Sequence, residues 1–283
     1  MRDDDLRTNP DAVGGAPPPT IGRHRVSGTT LYAEVRGGGP AVLLIPGGAE
    51  DAEGWRAVVE RLPGRTAVTY DRRGTLRSGR EDWPGRGSAQ HADDAAALIR
   101  ELGLGDVVVF GGSSAGVIAV QLAIRHPTLL RRALVYEPGY LRTTERTVDL
   151  RSLVLAAVEA HLRIRPGDWA GAYQAFARAV GPAAGFLASP SDRDWYGQRE
   201  ELNAEAFVRD DVPILTAEVV DEASLASTPV DIRFSYGSET SPIFRDIAVH
   251  LAAVRGGVAD VIPGVGHAIY LHADAAAAYL RES

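Results

Sequence analysis

Short apolar runs recur along the chain, separated by segments whose apolar positions return every three or four residues. The run Ala41-Val42-Leu43-Leu44-Ile45 is continuous rather than alternating. That pattern predicts a strand buried on both faces, because a strand with one wet face alternates instead. Further runs of this kind occupy residues 66–70, 107–110, 132–136, 230–236 and 258–262. Ahead of them, residues 21–26 and 29–35 alternate around Ser27-Gly28 and predict a hairpin. Helical spacing fills residues 55–62, 90–102, 115–125, 243–254 and 274–280. Strands alternating with helices predict an α/β fold, a mostly parallel sheet covered by helices on both faces.

One interval breaks the alternation. Between Tyr136 and Val230 no strand pattern occurs, and helical patterns appear near residues 148–162, 169–180 and 192–207. An all-helical stretch between two sheet strands reads as an inserted helical cap. The expected organisation is therefore a polar, Pro/Gly-rich mobile arm over 1–19, a core over 20–139 and 226–283, and a cap over 140–225.

Composition narrows the possible chemistry. The chain has 283 residues, 45% of them apolar, enough for a large core. A net charge of −7 argues against nucleic acid and anionic membranes as partners. There is no cysteine, which excludes thiol catalysis, disulfides and thiolate metal sites. There is no lysine either, which excludes Schiff-base chemistry. The acidic start, Met1-Arg2-Asp3-Asp4-Asp5, does not read as a signal peptide, and no apolar run is long enough to span a bilayer. A cytoplasmic monomer or homodimer is expected. The motifs that would carry a metal or a nucleotide cofactor are absent, so no cofactor is implied.

The sharpest local signal is Gly112-Ser113-Ser114-Ala115-Gly116, between a predicted strand and a predicted helix. This is G-x-S-x-G in a strand–turn–helix setting, the context of a nucleophile elbow. Such a turn strains the nucleophile's backbone and demands small residues on either side, here Gly112 and Gly116. The helix N-terminus would turn its free N–H groups toward charge forming at the serine. Ser114 is the expected nucleophile, with Ser113 the weaker choice. A serine needs a base. Of seven histidines, His24, His91, His126, His161 and His250 read as surface or packing residues. His267 follows the last strand, and loops at the carboxyl ends of parallel strands share one crevice. The order nucleophile then histidine also fits, and His272 is the alternative.

From about Ile21 onward the chain resembles the α/β-hydrolase superfamily. The resemblance rests on the elbow and on Ile45-Pro46-Gly47-Gly48, Tyr70-Asp71-Arg72-Arg73-Gly74 and Pro263-Gly264-Val265-Gly266-His267. Gly112-Ser113-Ser114, Tyr136-Glu137-Pro138 and the segment from Tyr236 to Pro242 are also similar to zearalenone lactonases. Many superfamily members carry the orienting Asp shortly after the penultimate strand. Thr240 stands at that position here, with Glu239 one residue earlier. The lactonase-like pattern implies Glu137 instead, so Glu137 is the expected acid and Glu239 the alternative. The same resemblance implies oxyanion donors at the backbone N–H groups of Gly48 and Ala115. Asp71 reads as an ion-pair or turn residue.

Together these readings imply a serine hydrolase of the carboxylesterase or lactonase type. Its expected small-molecule ester or lactone substrate is bulky and apolar, held by cap aromatics such as Trp169, Tyr173, Phe186 and Trp195. Other Ser-His chemistry on the same fold stays open, namely C–C bond hydrolysis, perhydrolysis or natural-product cyclisation. A non-catalytic ligand receptor stays open too.

Overall fold

The structure is a computed structural model that describes residues 18–143, 145–180 and 190–282. Most of the arm expected at 1–19, and the cap residue Phe186, lie outside the described residues. The hairpin is β1 (Thr20–Val26) and β2 (Thr29–Gly37); Ser27 and Gly28 form its two-residue turn with positive φ. The buried runs become β3 (Ala41–Ile45), β4 (Thr66–Tyr70), β5 (Val107–Gly112), β6 (Leu130–Tyr136), β7 (Asp231–Gly237) and β8 (Asp260–Ile262). They join in one eight-stranded sheet of order β1-β2-β4-β3-β5-β6-β7-β8. Only β1 with β2 and β2 with β4 pair antiparallel; every other pair is parallel.

Helices cover both faces. In chain order these are α1 (Arg56–Val59), α2 (Ser88–Glu101) and α3 (Ser114–Arg125), with α9 (Pro242–Val254) and α10 (Ala273–Arg281) closing the fold. Leu43, Ile45, Val107, Val109, Ala133, Val135 and Phe234 share one core with buried residues of α2, α3 and α9. The intervening Val42, Leu44, Val108, Phe110, Leu134 and Tyr136 face the opposite way, onto Trp55, Val58 and α10. Adjacent residues thus point to opposite cores, which explains why these strands read as unbroken apolar runs. The helix expected over 55–62 is shorter, because Pro63-Gly64 turns the chain after Leu62.

Between β6 and β7 the described residues form helices and no strand. The helices are α4 (Glu145–Ile164), α5 (Trp169–Val180), α6 (Pro190–Ala206), α7 (Val212–Leu215) and α8 (Glu222–Ser227). A π-helical turn, Phe207–Asp211, joins α6 to α7. The periodic patterns foresaw α4, α5 and α6, whereas α7, α8 and the π turn are too short to show a period. This segment is tied to the sheet edge by charge. Arg72 pairs with Asp211 and Arg80 with Asp210, while Arg199 Nη2 lies 2.8 Å from Asp51. The Arg72 and Arg199 pairs are buried.

Candidate active site

β5 and β6 lie side by side, with Gly112 paired to Tyr136, so the next residues on each strand, Ser113 and Glu137, emerge together. Both leave the sheet with positive φ, 53° at Ser113 and 43° at Glu137. The left-handed region is costly for a side-chain-bearing residue and persists only where the surroundings enforce it. The Ser113 N–H donates to the Tyr136 carbonyl at 3.0 Å. The Ser113 carbonyl accepts from Gly116 and Gly139, each at 2.9 Å.

The elbow is therefore at Ser113, one residue before the Ser114 expected from the motif. Ser113 has φ 53° and ψ −125°, and Ser114 is the first residue of α3. The small-residue requirement shifts with it. A Cβ on Gly111, two residues before Ser113, would lie 2.3 Å from the Ala115 carbonyl oxygen. A Cβ on Gly112 would meet nothing closer than 3.6 Å. Gly111 and Ala115 are the small residues that let strand and helix meet, while Gly116 instead packs against Pro138. The overlapping Gly111-Gly112-Ser113-Ser114-Ala115 carries this signal in the sequence, provided the strand is run through Gly112. Ser114 still borders the cavity, but its Oγ is buried without a partner. With the pivot at Ser113, the backbone N–H next after it is that of Ser114, not the Ala115 expected from the motif.

His267 follows β8 and is stacked on Phe244 with ring centroids 4.0 Å apart. Its Nδ1 is 2.6 Å from Glu137 Oε2. The fully buried Glu137 also accepts from the Gly237 N–H at 2.9 Å and the Thr240 hydroxyl at 2.7 Å. A carboxylate at Glu137 would hold the Nδ1 proton, the tautomer in which Nε2 carries the lone pair of a base. Glu239 is exposed and makes no such contact, while Thr240, where relatives of the usual pattern carry Asp, supports Glu137. His272 lines a separate surface groove with Pro263 and Asp274.

The cavity above Ser113 and His267 is bordered by Gly48, Trp55, Leu141, Tyr173, Phe176, Phe207 and Leu215, among others. A Cβ on Gly48 would lie 2.2 Å from the Phe207 ring, so the loop after β3 reaches the site only as glycine. Of the aromatics expected to hold substrate, Tyr173 lines the cavity. Trp169 packs against the larger core and Trp195 against Tyr196, both away from it. Phe176, one turn on from Tyr173 along α5 and also among the expected cap aromatics, lines the cavity too, whereas Phe207, Trp55 and Tyr270 line it unforeseen, because tertiary folding brings them there. Asp71 is an ion-pair residue, its Oδ2 2.7 Å from Arg77 Nε.

The description "alpha/beta hydrolase fold" matches residues 40–215, more than half of the chain. The chain belongs to the α/β-hydrolase fold family. An uncharacterized hydrolase of Bacillus subtilis, YraK, is 39% identical over 123 residues, which cover 43% of this chain and 45% of that protein. The chain thus spans about half the length of that relative. An esterase from Exiguobacterium antarcticum superposes with a TM-score of 0.74 at 17% identity, covering 92% of this chain and 98% of its own. Est816, described as an N-acyl homoserine lactone degrading enzyme, superposes at 0.71 with 19% identity, covering 92% and 99%. At such identities these two superpositions establish the shared fold. The α/β-hydrolase chain has no helix, among its described residues, long and apolar enough to cross a membrane.

Proposed function

We propose that this hydrolase cleaves a carboxylic ester or lactone through a Ser113-His267-Glu137 triad. The observation that carries the reading is the 2.6 Å contact between Glu137 and His267 beside a serine at a strained strand–helix pivot. Ser113 Oγ attacks the carbonyl carbon while His267 Nε2 takes its proton. The N–H groups of Gly48 and Ser114 receive the oxyanion as the tetrahedral intermediate forms. His267 then protonates the leaving alkoxide, and the acyl-serine is hydrolysed by a water that His267 deprotonates. Glu137 holds the tautomer and stabilises the imidazolium.

The helical segment between β6 and β7 acts as a cap that shuts the reacting carbonyl away from water. The apolar lining from Leu141, Phe176, Val180, Val212 and Leu215 favours a bulky, largely apolar small molecule. Within that class a lactone is supported by the segments similar to zearalenone lactonases and by the likeness to the lactone-degrading Est816. A dehalogenase or epoxide hydrolase of this fold needs Asp at the pivot, where this chain has Ser113. The test is a screen of p-nitrophenyl esters and lactones with product identification by mass spectrometry. Release of the free acid supports the reading; a protein that binds these compounds yet never turns them over overturns it.

A further inference from the structure

Beyond Ser113, Ser114 and His267, the mostly apolar cavity is bordered by two carboxyls, Asp211, which is paired with Arg72, and, at one corner, Glu50. Glu50 follows the loop that carries Gly48, and it borders the cavity together with Tyr173 and Tyr270. Its Oε2 accepts from the Gly47 N–H at 2.8 Å and from Trp55 Nε1 at 3.2 Å. Both bonds fall on Oε2, and among the described residues Oε1 receives none. A further carboxyl stands behind the corner: the Tyr173 hydroxyl donates to Glu200 Oε1 at 2.8 Å, and Tyr270 also hydrogen-bonds Glu200. Burial raises the Glu50 carboxyl to about 7, and the negative charge of Glu200 raises it further against the pull of Arg72. Arg72 is already committed to Asp211, the Gly47 carbonyl and His91. The corner is thus rich in acceptors, and its nearest cation is engaged elsewhere.

The triad mechanism gives Glu50 no role, and its Oε1 is an acceptor that a ligand in the cavity can meet. We propose that Glu50, backed by Glu200, is a specificity site for a hydrogen-bond-donating group, a hydroxyl or an amine, carried by an otherwise apolar ester or lactone. This rests on the ester-hydrolase reading and adds the substrate's polar feature to it. Tyr173 and Tyr270 hold Glu200 and are positioning residues.

The experiment compares kcat/KM for p-nitrophenyl esters of plain, ω-hydroxy and ω-amino acids of four to eight carbons. At one chain length the donor-bearing esters should exceed the plain ester by about tenfold or more, the scale of one hydrogen bond to a charged or strongly accepting group. Glu50→Met should abolish that ratio for both donors. Glu50→Gln, which keeps an acceptor but no charge, should abolish it for the amine and keep part of it for the hydroxyl. Ratios cancel any general damage to the loop after β3. Equal rates at every length, or a ratio that survives Glu50→Met, overturn the proposal. Calorimetry with the matching non-hydrolysable methyl ketones reads the same preference as binding. If no ester is cleaved, the hydrolase reading fails, while the ketone affinities still decide the role of Glu50.

Discussion

Exchanging each of the two adjacent serines separates the pivot from its neighbour. Ser113→Ala removes the attacking oxygen and leaves the backbone path intact. The expected loss in kcat is on the order of 10⁶-fold, as when a serine nucleophile is deleted from a working triad. Ser114→Ala removes a buried hydroxyl that has no partner. Leaving such a group unsatisfied costs about 1–3 kcal/mol, so its deletion should leave stability unchanged or raise it by about 1 kcal/mol. Turnover should fall less than about tenfold, because the backbone N–H that receives the oxyanion is retained. Ser113→Gly adds a second measure. It relieves a φ of 53° that costs a side-chain-bearing residue about 1–3 kcal/mol. The inactive glycine variant should therefore melt higher than Ser113→Ala. The assay is p-nitrophenyl ester turnover with thermal melting, alongside a fluorophosphonate label mapped by peptide mass spectrometry. A label on Ser114, or activity that survives Ser113→Ala but not Ser114→Ala, would refute the placement of the pivot.

Three further outcomes follow from the site. Glu137→Gln should lower kcat by on the order of 10⁴-fold through loss of tautomer control, and Thr240→Val by much less, whereas the exposed Glu239→Gln should have no measurable effect on steady-state kinetics. Burial lifts the Glu50 carboxyl from 4.5 to about 7, so the folded state binds a proton that the unfolded chain has released across that window. Stability from this group is therefore present at low pH and lost as pH rises through about 7; melting temperatures from pH 5 to 8.5 should flatten in Glu50→Gln. Gly48→Ala drives a Cβ to 2.2 Å from the Phe207 ring, which is edge-packed against Phe176 at 4.8 Å. An overpacking cost of about 1–3 kcal/mol and loss of turnover are expected, with the melting temperature recovering in the double variant Gly48→Ala/Phe207→Leu.

How much of this was legible in the chain depended on the range of the interactions involved. The strands buried on both faces declared themselves, because neither face of Leu43-Leu44-Ile45 or Val107-Val108-Val109-Phe110 needs a polar residue. The hairpin was readable from Ser27-Gly28, and the long helices from their period. His267 was readable because loops at the carboxyl ends of parallel strands converge, whereas Glu137 rested on the lactonase-like segment, and the structure sets the two 2.6 Å apart. The pivot was misplaced by one residue because two overlapping frames, Gly111 to Ala115 and Gly112 to Gly116, each place a serine between small residues at the same spacing. The positive φ of Ser113 and the close approach of Gly111 to the Ala115 carbonyl separate them, and both appear only in the folded chain. The cavity lining was read least well. Trp169 and Trp195 share helices with Tyr173 and Glu200 but face elsewhere, and Phe207 reaches Gly48 through a π turn that leaves no trace in periodicity.

The charged ties between the helical segment and the sheet edge bear on how a substrate arrives. Lifting that segment as one body would strip Arg72 from Asp211 and Arg199 from Asp51, both buried pairs. Breaking a buried pair costs about 3–5 kcal/mol, so a wholly raised segment would be populated in roughly one molecule in 10⁴ or fewer. Traffic through so rare a state would throttle capture of a dilute substrate. Rotation of individual lining side chains such as Phe176 and Leu215 breaks no such pair and is the cheaper path by comparison. The ion pairs thus fix the segment's frame and leave the apolar lining as its adjustable part, so exchanging those side chains should change which esters are accepted more than how fast they react.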